Sequence, residues 1–185
     1  LAAETHVDRS IEQPTPFVAT NVVGTATLLE TTLRYWQQLG SAEKEQFRLL
    51  HVSTDEVYGP TDSGQLAREG DAYAPTSPYA ASKAAADQLV RSYGHTYGLP
   101  IMIAHPTNNY GPYQFPEKLI PHFVFQSMRG ESLPLYGDGQ QQRDWLFVED
   151  HCEALEILLS EGKPGERYHV GTQKLRSNRA VAENI

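Results

Sequence analysis

From Pro14 to Leu39 the chain carries apolar residues at Val18, Val22, Ala26, Leu29, Leu33 and Trp36. Steps of three or four residues predict one face of a long amphipathic helix, with Pro14 suited to its first turn and Gly40 to its end. After the polar stretch Ser41 to Gln46 comes Phe47 to Ser53, short, mostly apolar and closed by polar residues, which predicts a buried strand. A loop rich in Gly, Pro and Asp is expected from Gly59 to Ser77. Pro78 then opens a second helix to about Tyr97, and Gly98-Leu99-Pro100 stops it. Pro100 to His105 is another short apolar segment, followed by a long loop through Asn108, Gly111, Pro112 and Pro116. Beyond it the pattern predicts a helix from about Glu117 to Arg129, a strand near Trp145 to Val148, a helix from about Asp150 to Leu159, a strand at Tyr168 to Val170 and a final helix from Asn178 to Ile185.

Helices and strands alternate without an internal repeat. That order predicts an α/β fold, a doubly wound parallel sheet with right-handed crossovers and helices on both faces. The long loops fall after strands, where open α/β sheets bind ligands. The chain opens on Leu1-Ala2-Ala3-Glu4-Thr5 with no cap or turn in front of it and stops at Ile185 inside a predicted helix, so it is expected to be a fragment.

Composition narrows the function. With 185 residues, 39% hydrophobic and 21% charged, the chain suits a globular protein with one sizeable core. A formal net charge of −8 and the absence of any basic run argue against nucleic-acid binding, and an anionic substrate would need positive groups gathered locally. The single cysteine, Cys152, excludes an internal disulfide framework and is expected to pack within the helix after Asp150. The opening residues show no signal-peptide pattern and no apolar run approaches the roughly 20 residues a membrane span needs, so a cytoplasmic setting without membrane contact is expected. The 7 histidines form no H-x-x-x-H or Cys/His cluster, and no metal site is expected.

Two groups of residues point to chemistry. Tyr79 and Lys83 stand four apart near the start of the second helix, on one face. A nearby ammonium favours a phenolate, so Lys83 is expected to lower the pKa of Tyr79 and let it take a proton from a sugar hydroxyl. Taken alone, tyrosine and lysine at this spacing occur on many helices. Directly after the preceding strand comes Ser53-Thr54-Asp55-Glu56-Val57-Tyr58-Gly59. The Thr54 hydroxyl can bond the hydroxyl being oxidised. Two adjacent acids in a partly dry pocket have their pKa values pushed apart, so Asp55 and Glu56 can split the donor and acceptor duties that removal of water requires. The bland alternative is that Asp55 caps a turn and Glu56 is solvated. Strand alternation would send the two acids to opposite sides, so the chemical reading requires a bend after Thr54. Tyr93 and Tyr97 continue the face of Tyr79 and read as core or interface residues.

The Tyr-x-x-x-Lys helix with Thr upstream resembles the short-chain dehydrogenase/reductase superfamily in its extended, nucleotide-sugar branch. Within that branch Ser53 to Gly59 resembles the NAD-dependent dTDP-glucose 4,6-dehydratases. Epimerases of the branch usually carry small or hydroxyl residues where Asp55 and Glu56 stand. Leu1 to Ser10, Asn108-Asn109-Tyr110-Gly111-Pro112, Pro116 to Pro121 and Gly137 to Asp150 extend the resemblance over nearly the whole chain.

The resemblance implies a Rossmann-like NAD-binding domain over residues 1–110, lacking its Gly-rich portion, and a mixed region over 111–185 that contributes to nucleotide-sugar binding and returns to the main sheet. It implies that Leu1, Ala2, Ala3, Glu4, Thr5, Thr20, Tyr79, Lys83 and Asn109 contact NAD, with Thr54, Asp55, Glu56, Tyr79 and Lys83 catalytic. Thr5, Thr54, Asn108, Lys118, Leu119, Pro134, Leu135, Tyr136, Arg143 and Asn178 would hold the nucleotide-diphosphate sugar. A guanidinium such as Arg143 suits phosphate oxygens through paired hydrogen bonds. The implied reaction converts dTDP-glucose to its 4-keto-6-deoxy product, and the implied assembly is a homodimer. Two departures stand out: Thr5 where the family usually has Ser, and Thr107 in a position that is commonly Ser. No G-x-G-x-x-G occurs in the chain. The rival readings are a nucleotide-sugar epimerase or decarboxylase of the same fold, which would leave Asp55 and Glu56 idle, and a non-catalytic nucleotide-sugar binding protein.

Overall fold

A computed structural model describes residues 2–60 and 67–185, so Leu1 and residues 61–66 of the predicted loop lie outside the described residues. After α1 (Val7–Glu12) the chain forms one helical run: α2 (Pro14–Phe17), a π-helical turn (Val18–Val23) and α3 (Gly24–Gln38). The run has the predicted extent, but its buried side is not quite the predicted stripe. Val18 is 49% exposed, while Phe17, Asn21 and Leu29 are buried. The wide π turn holds more residues per turn than an α-helix, so buried positions here recur every fourth residue. The polar stretch before the first strand is itself a short helix, α4 (Ser41–Gln46), closed at its start by the Glu43 carboxylate accepting from Gly40 N–H at 2.9 Å.

There follow β1 (Leu49–Val52), a 3-10 turn (Asp55–Tyr58), α5 (Pro78–Tyr97) and β2 (Ile101–Pro106). The Ser77 hydroxyl accepts from Ala80 N–H at 3.0 Å to start α5. Gly98, with φ of 70°, ends it in a conformation that side chains oppose. The remainder is β3 (Asn108–Tyr110), α6 (Leu119–Met128), β4 (Gln142–Phe147), α7 (Val148–Glu161), β5 (Arg167–Val170), β6 (Leu175–Ser177) and α8 (Asn178–Glu183).

The main sheet has the order β1-β2-β5, all parallel. Every residue of the central β2 is buried, which is why its sequence runs apolar without alternation. On one face Leu29 of α3 and Val90 of α5 pack with Leu99, Ile101 and Ile103. On the other, Leu155 and Leu158 of α7 cover Ala104, Leu146 and Val170. Each such fully buried Leu, Ile or Val contributes about 1.5–3 kcal/mol. The expected α/β architecture with helices on both faces is therefore present.

A second sheet joins β3 parallel to β4 and β4 antiparallel to β6. Here the expectation needs correcting. The segment through Asn108 read as loop, and an all-parallel sheet leaves no room for β6. Strands of three residues carry no period of their own; pairing with β4 creates them. Cys152 is exposed on α7, contrary to the packed position expected, because Ala154, Leu155 and Leu158 supply the buried face. Tyr93 packs against the first core cluster, with its ring centroid 5.0 Å from that of Tyr97. Among the described residues no helix is long and apolar enough to cross a membrane.

Candidate active site

The site begins at the carboxyl end of β1. The Thr54 hydroxyl accepts from Glu56 N–H at 3.3 Å and starts the 3-10 turn, supplying the bend that the paired-acid reading requires. Gly59 closes the turn with φ of 89°, and a Cβ there would stand 2.8 Å from the Ala74 carbonyl oxygen. Asp55 and Glu56 consequently line one small cavity of about 100 Å³ together with Asn108 and Arg143. Thr54, not Asp55, caps the turn, and neither acid is free in solvent.

Tyr79 and Lys83 come from the first turns of α5 and are only 8% and 5% exposed. Three residues of the N-terminal helices fix them there. Ser10 Oγ accepts from Tyr79 N–H at 3.0 Å. Asn21 Nδ2 donates to Ser82 Oγ at 2.9 Å. The Phe17 ring meets the Tyr79 ring edge-on, centroids 6.4 Å apart. Lys83 Nζ donates to the Val52 carbonyl at 2.8 Å, joining α5 to the end of β1.

The electrostatics split the two acids. Burial pushes the Asp55 carboxyl up to about 7, the negative Glu56 beside it adds to the rise, and a Thr54 hydrogen bond and Arg143 oppose it. Glu56 is also raised by burial, while Arg143 and Lys118 pull it back. Near neutral pH Asp55 is thus poised to give a proton and Glu56, with two cations facing it, is the better acceptor. For Tyr79 the outcome reverses the expected direction. Burial raises the phenol, the Glu56 charge raises it further, and a hydrogen bond from Thr54 opposes them. Lys83 does not dominate, because burial lowers its own pKa and its charge is answered by Asp87.

A larger cleft of about 640 Å³ adjoins the acid pair, sharing Glu56, Asn108 and Arg143 with the small cavity. Of the residues implied to hold substrate, Thr5, Asn108, Lys118, Leu119, Pro134, Leu135, Tyr136, Arg143 and Asn178 all line it, as does Asn109. Thr54, Tyr79 and Lys83 are buried and line neither cavity. Lys118 Nζ donates to Thr5 O and Thr5 Oγ1 at 3.1 and 3.2 Å, closing one wall. Ala2, Ala3, Glu4 and Thr20 lie off this cleft; Glu4 is clamped by Asn21, whose Oδ1 accepts from Glu4 N–H at 2.9 Å, and Thr20 is exposed. Leu1 lies outside the described residues.

Two observations bear on a cofactor. Among the described residues Lys83 Nζ gives a single hydrogen bond and so retains donors, and the buried Asn109 Oδ1 finds no partner. Such unfilled donors and acceptors suit a ligand rich in hydroxyls. Sequence reasoning passed over Ser10, Asp87 and Asp144. Asp144, 4% exposed, accepts from Thr172 and Gln173 N–H at 2.8 and 2.9 Å and from the Thr172 hydroxyl, anchoring the β5–β6 connection beside Arg143. An acid directly before the apolar run Trp145-Leu146-Phe147 was the available signal.

A parallel sheet sandwiched by helices, with a buried Tyr and Lys on the helix beside its carboxyl edge, defines a Rossmann-like protein of the short-chain dehydrogenase/reductase class. The chain belongs to the GDP-mannose 4,6 dehydratase family, whose profile matches residues 1–185. It is 55% identical over 185 residues to a dTDP-glucose 4,6-dehydratase of Xanthomonas campestris pv. campestris, covering all of this chain and 53% of that protein. The dTDP-glucose 4,6-dehydratase of Salmonella typhimurium is 50% identical over 194 residues, with 100% and 54% covered. Among solved structures, DesIV, a dTDP-glucose 4,6-dehydratase from Streptomyces venezuelae with NAD and TYD bound, superposes with a TM-score of 0.90 at 47% identity, over 100% of this chain and 54% of that one. The chain spans about half the length of the curated relatives it matches.

Proposed function

We propose that this chain carries the catalytic centre of an NAD-dependent dTDP-glucose 4,6-dehydratase. The observation that carries the reading is the acid pair: Asp55, raised to about 7, and Glu56 on one cavity wall, both near enough to Tyr79 for their charges to act on its phenol. The names of the relatives support the same substrate. Residues 1–110 would form the cofactor side. Residues 111–185 would form the nucleotide-sugar side and send β5 back to the main sheet.

Ala2, Ala3, Glu4, Thr5, Thr20, Tyr79, Lys83 and Asn109 would hold NAD, and the spare donors of Lys83 and the unpartnered Asn109 oxygen suit its hydroxyls and amide. When bound, NAD supplies the hydride acceptor and donor. Tyr79 takes the proton of the carbon-4 hydroxyl, with the Thr54 hydroxyl orienting that group. A protonated Asp55 helps, since it removes one of the negative charges that oppose a phenolate. Glu56 then removes the proton on carbon 5, made acidic by the adjacent ketone, and Asp55 protonates the hydroxyl departing from carbon 6. Arg143 and Lys118 would meet the diphosphate, and Leu119, Pro134, Leu135, Tyr136, Asn108 and Asn178 would complete the cleft around the nucleotide and sugar. The setting would be cytoplasmic and the assembly a homodimer.

The test is mass analysis of the product made by the full-length protein from dTDP-glucose. A keto sugar lighter by one water is expected, and Asp55→Asn with Glu56→Gln should stop its formation. A product of unchanged mass, or a double variant that behaves like its parent, overturns the reading in favour of an epimerase.

A further inference from the structure

The loop that leads into α5 supplies no reacting group to the proposed chemistry, yet one of its side chains is seated deep in the fold. Tyr73 OH donates to Asp87 Oδ2 at 3.0 Å and stands 3.0 Å from His105 Nε2. Asp87, on α5, and His105, on β2, are both 0% exposed. The guanidinium of Arg167, on β5, lies over the Tyr73 ring, 5.6 Å from its centroid. One loop tyrosine is thus held by two strands and a helix of the main α/β layer. A second tie, from His169 N–H to the Glu69 carboxylate at 3.2 Å, binds the same loop to β5.

From that seat the loop grips the turn that bears the two acids. The Tyr73 ring meets the Tyr58 ring edge-on, centroids 5.0 Å apart. Ala74 N–H donates to the Val57 carbonyl at 2.9 Å, and Gly59, lacking a Cβ, lets the Ala74 carbonyl come close. The near end of the turn is tied to the same carboxylate oxygen, because Ser53 Oγ donates to Asp87 Oδ2 at 2.9 Å. A single buried atom therefore fixes the residue that precedes Thr54 and, through Tyr73, the segment packed on the far end. Thr76, a little further along the loop, lines the small cavity with Asp55, Glu56 and Gly59.

We infer that Tyr73 is a positioning residue for the loss of water: its hydroxyl locks the loop onto the Asp55–Tyr58 turn and so holds Asp55 and Glu56 at the cavity wall. The inference rests on the proposed function, because those two acids have a shared task only if water leaves. The groups that Tyr73 and Ala74 touch on the acid side, Val57, Tyr58 and Gly59, all belong to the turn or close it. Tyr79 and Lys83 are held by other contacts, to Ser10 and to the Val52 carbonyl, and neither passes through Tyr73. Freeing the loop should therefore disturb elimination and spare oxidation. The expected size follows from geometry, since a shift of about 1 Å in a positioned group can cost about a hundredfold, and loss of one hydroxyl loosens the turn only in part.

In the full-length enzyme, Tyr73→Phe keeps the ring and removes the hydroxyl. It should lower kcat for conversion of dTDP-glucose to the dehydrated keto sugar about tenfold, with KM within about twofold of native. dTDP-6-deoxyglucose has no carbon-6 hydroxyl to lose and reports carbon-4 oxidation alone; the rate at which reduced nicotinamide absorbance appears with it should stay within about twofold of native. Equal losses with the two substrates, or no loss with either, overturn the inference in favour of a plain structural tie. A second readout needs neither turnover nor a variant. In hydrogen exchange of the native protein the Ala74 amide, bonded to Val57, should exchange about a hundredfold more slowly than an open loop amide. Exchange at the open-loop rate overturns the inference whether or not Tyr73→Phe folds. Absence of keto-sugar product from the native enzyme would instead count against the proposed function and leave the exchange measurement standing.

Discussion

The buried wall built on β1, β2 and α5, behind the acid pair, and the cleft wall built on β3, β4 and α6 are made differently. On the first, Tyr79, Lys83 and Asp87 are buried, and the Tyr79 N–H, the Lys83 ammonium and Asp87 Oδ2 are each hydrogen-bonded to another element. On the second, Arg143 is exposed and Tyr136 is 79% exposed, and the strands are three to six residues long. Burial amplifies charge and fixes direction, which proton transfer needs. Exposure leaves long side chains free to close on a ligand. The contrast teaches that the first wall is built for chemistry and the second for capture, and substitutions on the two should fail in different ways.

The largest effect belongs to the chemical wall. Tyr79→Phe should lower kcat about a thousandfold, with KM little changed, as read by steady-state turnover of the full-length enzyme. A defect confined to KM would break the contrast. Next come the acids: Glu56→Gln or Asp55→Asn should each cost about a hundredfold or more in the loss of water, followed by mass analysis of the product. Because Asp55 must carry its proton to act, the elimination rate should fall as pH rises through about 7.

Asp55 also links pH to stability. Its folded pKa of about 7 lies above the ordinary 3.8, so its contribution is fully present below the ordinary value and is lost as pH rises through about 7. Asp55→Asn should therefore be the more stable protein at alkaline pH, by about 2 kcal/mol in denaturant titrations after allowance for solvent screening.

On the capture wall, Arg143→Ala should act mainly on KM, raising it about tenfold to a hundredfold, with a smaller fall in kcat because Glu56 loses one of its two facing cations, and should leave the melting temperature nearly unchanged. Its neighbour sharpens the comparison. Asp144→Ala orphans the donors of Thr172 and Gln173 and should cost about 2–3 kcal/mol in thermal unfolding, showing that even this wall rests on one buried carboxylate. Smallest of all, Cys152→Ser on the exposed face of α7 should shift stability by less than about 0.5 kcal/mol.

How legible each wall was in the sequence follows from its construction. α5 spans Pro78–Tyr97, the predicted extent, because Ser77, Pro78 and Gly98 are local stop and start signals. The central strand β2 was visible as an apolar run. β3 and β6 were not, since three residues paired to a distant strand have no pattern to read. The π turn at Val18–Val23 shifted a buried stripe that ideal α spacing had set one residue away, leaving Val18 exposed and Phe17 and Asn21 inside.

Spacing along the chain was enough to pair Tyr79 with Lys83 and to set Asp55 beside Glu56, because residues four apart on a helix or adjacent on a turn are neighbours in any fold. The direction in which each group titrates was not contained in that spacing. It came from burial and from partners far away in the chain: Ser10 and Asn21 against α5, Arg143 and Lys118 facing the acids, and His51 and His105 on Asp87. A charge responds to everything within several ångströms, and packing alone brings those groups together.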